Sequence, residues 1–210
     1  MLTLSRVRTA VVTLLPVLLL ICASATESKA DVVGICDPDG PGLCTTSVNI
    51  TGNVITISIT NTSPLPNGGF ITAAAFNLTA GTTVTNFATS SANFSLFGPG
   101  GGAWTGNVSP DGTRTSLISA TNNDYNGGGN PSGGAAPGQT VIFTITVASL
   151  NGNTEASIFN SLLIRQRGFQ DGGSDKDAQI NQVPEPASML LLGSGLAGLA
   201  ATARKRWLKK

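Results

Sequence analysis

Isoleucine and hydroxyl side chains alternate toward the end of the first third of the chain. Ile55, Ile57 and Ile59 fall on one side, and Thr56, Ser58 and Thr60 on the other. Successive side chains of an extended segment point to opposite faces, so this period of two predicts a half-buried strand. Val48-Asn49-Ile50 lies just ahead of it with Gly52-Asn53 between, which is a hairpin signal. The alternation returns over 140–149, where Val141, Phe143, Ile145 and Val147 oppose Thr144 and Thr146. Further strands are predicted at 69–79, 82–89, 93–97 and 115–121. A short helical turn capped by Asn153 or Thr154 is predicted over 153–161, with a returning strand at 162–169. Short Thr- and Val-rich segments divided by Gly, Asn and Pro predict an all-β domain, an antiparallel β-sandwich or jelly roll. No fixed-period repeat argues for a solenoid.

The two ends follow a different pattern. Arg6 and Arg8 precede an apolar stretch from Ala10 to Ala23 broken by Pro16, and Ser28-Lys29-Ala30 supplies a small-x-small site. This is the layout of a secretory signal helix cleaved after Ala30, leaving Asp31 first. Ala23-Ser24-Ala25 is an alternative site, whereas Ile21 is too bulky for a lipoprotein box ending at Cys22. At the other end the segment 187–203 carries no charge. At ~1.5 Å per residue it reaches ~25 Å, the short end of what a single transmembrane helix needs. Arg204, Lys205 and Arg206 follow as a stop-transfer cluster held in the cytoplasm by the positive-inside bias. Gly195 and Gly198 also give this helix a small-residue face, which simple anchor composition explains.

Ahead of that helix stands Val183-Pro184-Glu185-Pro186. Its prolines fix φ and remove two backbone donors, so the tetrapeptide stays extended and open to being gripped as a strand. Pro184-Glu185-Pro186, then a short apolar helix, then a basic terminus, behind an N-terminal export signal, resembles the PEP-CTERM sorting signal of bacterial surface proteins. The likeness covers residues 183–206. It implies recognition by an exosortase, a membrane-embedded cysteine protease or transpeptidase, and removal of the tail near Pro184 to Pro186. It also implies a bacterium that makes exopolysaccharide, biofilm or floc. The segment from Leu163 to Lys176 resembles one that recurs just ahead of this tail. A plain C-terminal anchor is the competing reading.

The division into 1–30, 31–182 and 183–210 changes the charge. Between Asp31 and Pro186 there are ten carboxylates against Arg114, Arg165, Arg167 and Lys176, a net charge of −6. Such an acidic region lacks the basic footprint that nucleic acid requires. Cys36 and Cys44 bracket a short Pro- and Gly-rich loop, and in an exported chain they predict a disulfide.

Candidate chemistry is sparse. The chain has no histidine, so a Ser-His-Asp arrangement is excluded and ready proton-transfer groups are few. A carboxylate pair for glycoside hydrolysis is available among Asp111, Asp124, Glu155, Asp171, Asp175 and Asp177, but most sit beside Gly or Asn, where Asp is ordinary turn chemistry, and Glu155 fits a helix start. Asp171, Asp175 and Asp177 in a Gly-rich loop offer hard oxygens to calcium, and Asp37 with Asp39 form a weaker pair; solvated loop is the competing reading. Arg165 and Arg167, two apart on a strand, are expected to pair with those carboxylates. Trp104, after the flexible Gly100-Gly101-Gly102, either stacks on a sugar or packs at a strand edge. The loop 122–138 is too long and polar for a tight turn. Five Asn-x-Ser/Thr triplets are chance matches in a bacterial chain of this composition.

These features predict an exported, non-enzymatic envelope or extracellular-matrix protein of biofilm, carried through the inner membrane and anchored there transiently. Its expected partners are signal peptidase and the secretion machinery, then exosortase, and at the surface exopolysaccharide. The alternatives are a carbohydrate-binding module, calcium-assisted or without any cofactor, and, further off, a secreted glycosidase.

Overall fold

A computed structural model describes residues 31–66, 68–120, 124–126 and 130–182. Ten strands and one short helix follow in chain order: β1 (Val32–Cys36), β2 (Cys44–Thr51), β3 (Val54–Asn61), β4 (Phe70–Phe76), β5 (Val84–Thr89), β6 (Ser95–Phe97), β7 (Ser116–Ser119), β8 (Thr140–Val147), α1 (Glu155–Ser161), β9 (Leu163–Arg167) and β10 (Ser174–Gln182). They form one nearly closed antiparallel sheet in the order β5-β8-β3-β2-β1-β10-β9-β4-β7-β6. The expected all-β antiparallel class is therefore observed. The signal helix with Ala30, the motif Pro184-Glu185-Pro186, the helix 187–203 and the basic cluster Arg204, Lys205 and Arg206 lie outside the described residues. Among the described residues no helix is long and apolar enough to cross a membrane.

The alternating pattern builds the core. Ile55, Ile57 and Ile59 of β3 stand opposite Ile145, Phe143 and Val141 of β8, and Val48 and Ile50 of β2 join them. Ile71, Ala74 and Phe76 of β4, Ile118 of β7 and Ile164 of β9 pack into the same cluster from the other part of the sheet. Each such Ile, Val or Phe side chain, removed from water, contributes about 1.5–3 kcal/mol before entropy is counted.

Several of the polar groups inside act as ties between elements. Asn61 is fully buried, and its amide donates to the carbonyls of Gly69 and Ala135 at 2.7 and 2.9 Å while its oxygen accepts from Ser63 N at 3.1 Å. That one side chain ties the end of β3 to two loops. Thr154 caps α1, exchanging side-chain to backbone bonds with Ser157 in both directions. Glu155 opens the helix as expected; it is buried and accepts from Ile50 N of β2 at 3.2 Å, fastening the helix to the sheet.

Two strands were not legible as strands. β10 occupies residues assigned by composition to a Gly-rich loop, and β1 carries no alternation long enough to stand out. β10 is strand because each half has a backbone partner: 174–178 pair with β9, and 179–182 with β1. It thereby joins the two parts of the sheet, and it is the last element before the proline motif.

Candidate functional site on the closing hairpin

The β9–β10 hairpin places different chemistry on its two faces. Cross-strand partners share a face, and the register sets Arg165 opposite Lys176, Arg167 opposite Ser174, and Gln166 opposite Asp175. Arg165, Arg167 and Lys176 therefore lie on one face, and Gln166, Asp175 and Asp177 on the other. The expected pairing of the arginines with Asp175 and Asp177 does not form, because strand alternation turns those carboxylates away.

The acidic face meets the disulfide loop. Cys36 and Cys44 are bonded and buried, with Cα atoms 5.0 Å apart, as the spacing predicted. The loop between them docks on β10: Gly42 N donates to Asp175 Oδ2 at 2.9 Å. Gly40 lies so close that a Cβ there would stand 1.8 Å from the same oxygen. Ser63 Oγ donates to Gln166 Oε1 at 2.8 Å beneath it. Asp177 is 2% exposed, and its Oδ2 has no hydrogen-bond partner. Burial, then the nearby charges of Asp175 and Asp37, push its carboxyl up to about 7, against a smaller opposing effect of the Gln166 amide.

Asp171 lies apart from this, in a turn where its Oδ1 accepts from Gly173 N at 2.8 Å. The calcium candidates Asp171, Asp175 and Asp177 are thus divided between a turn and a strand. Among the described residues no group of three or more His, Cys, Asp or Glu is placed to hold a metal ion. Asp39 is exposed, and its N–H donates to Asp37 Oδ1 at 3.2 Å, an ordinary turn bond.

The basic face is covered, which sequence reasoning missed. β4, β7 and nearly all of β9 are buried on both faces, because the segments between β6 and β8 cross over them. A second apolar cluster results from Ala73, Ala75, Val108, Leu117, Tyr125 and Leu163, with Phe97 and Trp104 packed at its margin. Trp104 is half-buried there, and its indole Nε1 is buried without a partner.

Tyr125 sits at the centre, 1% exposed. Arg165 Nη1 donates to its backbone carbonyl, and the Arg165 guanidinium and the Lys176 ammonium each stand 5.9 Å from its ring centre. Lys176 Nζ also donates to Ser109 O and, at 2.7 Å, to Asn126 Oδ1. Burial pushes the Tyr125 phenol far above its usual range, so it stays protonated. Burial lowers both Arg165 and Lys176; the next cause is Arg167 for the first and Arg165 for the second. A lone Tyr in a Gly- and Asn-rich stretch was the available signal for this centre.

Beyond the hairpin, residues 182–206 match the model of the PEP-CTERM protein-sorting motif. It carries the PEP-CTERM sorting motif. The PEP-CTERM assignment makes this an exported protein that exosortase processes, secreted after a transient stay at the membrane. The match begins at Gln182, the last residue of β10, so the PEP-CTERM motif follows the folded domain directly. No curated protein and no solved structure matches the chain.

Proposed function

We propose that the folded region of this PEP-CTERM protein is a non-enzymatic component of the cell envelope or extracellular matrix, delivered to the polysaccharide layer by its sorting tail. The observation that carries this reading is the employment of its carboxylates. Asp175 holds the disulfide loop, Glu155 fastens α1, Asp171 closes a turn, and Asp177 is 2% exposed beneath other groups. With no histidine in the chain, few groups remain to move a proton at a surface that substrate reaches. The reading needs no cofactor.

A second reading, a carbohydrate-binding module, is favoured by the half-buried Trp104 at the margin of the second apolar cluster. Deleting the protein from its producing cells is expected to thin the surface matrix. The processed protein, incubated with that matrix, is expected to release no reducing sugar. Turnover abolished by a single carboxylate substitution would replace both readings with a glycosidase.

A further inference from the structure

Charge is absent from one part of the sheet. No Asp, Glu, Lys or Arg occurs between Asp39 and Asp111, and none within β8. The neighbouring strands β5, β8, β3 and β2 are therefore uncharged, although the region from Asp31 to Pro186 is acidic. β5 ends this set and is one edge of the whole sheet.

The two edges are finished differently. β6 is three residues long and is closed by its own chain: Gly98 N donates to Gly102 O at 2.7 Å, and Gly102 N to Leu96 O at 3.1 Å. That loop also rests on the first residue of β5, where a Cβ at Gly100 would stand 2.5 Å from Val84 Cβ. Past Val84 the edge is open. Thr85, Asn86 and Ala88 are exposed, and Phe87 and Thr89 half-buried.

The backbone of this open stretch has a free side. Ser90 N donates to Ile142 O at 2.9 Å. Partners that exchange bonds alternate along an antiparallel pair, so Ala88 and Asn86 turn their backbone groups to Thr144 and Thr146 of β8, and Phe87 and Thr89 turn theirs away from the sheet. Among the described residues nothing bonds to those outward groups. Such an edge is ordinarily blunted by Lys, by Pro or by a cover, because its ladder accepts another extended chain. Val-Thr-Asn-Phe-Ala-Thr contains neither residue, and its one irregularity, between Val84 and Asn86, leaves Asn86 to Thr89 in unbroken register. We propose that β5 is an assembly edge that pairs antiparallel with β5 of a second copy of this chain.

The same observations select that occupant. Two acidic domains repel each other least where neither carries charge, and β5 with the three strands behind it is such a place. An antiparallel pair about a two-fold axis is self-complementary, so the outward N–H and C=O groups of Phe87 and Thr89 meet the same groups of the copy. Phe87 adds an apolar part. Its ring stacks on Phe143 with centroids 6.4 Å apart and stays partly exposed, because no strand lies beyond it; its counterpart across the two-fold covers that flank. With β6 closed by its own loop, assembly ends at two copies.

The inference goes beyond the matrix reading, which a monomer would leave standing. Its test is sedimentation velocity of the processed protein over a dilution series, with folding checked by circular dichroism. Wild type is expected to show a monomer–dimer equilibrium. Ala88→Lys sets like charges near each other across the two-fold and is expected to weaken dimerisation at least about tenfold. Thr45→Lys makes the same change in net charge on exposed β2, three strands in, and is expected to leave dimerisation within about twofold. Thr89→Pro deletes one outward N–H and no ladder bond to β8; it is expected to abolish the dimer, and it stands in if Ala88→Lys does not fold. Wild type that is monomeric at every concentration, species larger than a dimer, equal weakening by Ala88→Lys and Thr45→Lys, or dimerisation of Thr89→Pro like wild type would overturn the proposal.

Discussion

Asp177→Asn is expected to stabilise the protein in alkaline solution and to do little in acid. The amide copies the shape of the protonated acid, and the wild-type carboxyl is held among Asp175 on its own strand, Asp37 after β1 and Gln166 on β9. The folded protein keeps this proton up to about pH 7, whereas the unfolded chain releases it near 3.8. Between those values the folded state binds more protons, so stability falls as pH rises, with the full penalty present above about 7 and none below about 3.8. The displacement converts to about 4 kcal/mol at ~1.36 kcal/mol for each tenfold change in the proton equilibrium. Solvent reaching the neighbouring Asp175 and Asp37, both only half-buried, screens this to about 2 kcal/mol. For a chain of this size that is a rise of roughly 4–8 °C in Tm. Thermal melts followed by circular dichroism at about pH 4 and pH 8, wild type beside Asp177→Asn, read it directly. A Tm difference that is the same at both pH values would refute the reasoning, and destabilisation growing with pH would show that Asp177 is a well-paired carboxylate.

Three other outcomes are expected. Reducing the Cys36–Cys44 bond, whose partners are 8 positions apart, should lower stability by about 2.5 kcal/mol on loop-closure grounds, measured by urea melts with and without reductant. Gly34→Ala should cost about 1–3 kcal/mol, because its Cβ would fall 2.1 Å from Phe159 Cζ and 2.5 Å from Ile180 O; an unchanged urea midpoint would contradict the packing of α1 on β1. Asn61→Ala should cost about 2–4 kcal/mol, since it takes its donor from the buried Gly69 carbonyl, its acceptor from Ser63 N–H, and one of two donors from Ala135 O, which keeps Ile71 N, again read from the urea midpoint.

The strands of the core were readable because their burial follows side-chain alternation. β3 and β8 repeat every second residue with Ile, Val and Phe, and the structure pairs those residues directly. β10 was hidden for the opposite reason. Ser-Asp-Lys-Asp-Ala-Gln-Ile-Asn-Gln has the composition of a loop, and its place in the sheet comes from the backbone groups of β1 and β9. The candidate site was legible only in part. The disulfide follows from spacing and compartment, but Tyr125 becomes a centre only when the long loops fold back over β4, β7 and β9. The separation of Arg165 and Arg167 from Asp175 and Asp177 depends on a register between strands, which no single segment encodes. Glu155 was readable as a helix start, but its bond to Ile50 N, 105 residues away on β2, was not.

Everything proposed for this protein depends on its export and on its processing by exosortase at the PEP-CTERM motif. Intact mass of the protein in surface and extracellular fractions of its producing cells tests it most directly, with wild type beside a variant in which Pro184, Glu185 and Pro186 are all alanine. The expected wild-type form lacks both the N-terminal segment and the apolar tail, and the expected variant keeps the tail. A mature wild-type form that retains Lys210 would contradict it and leave an ordinary membrane-anchored protein.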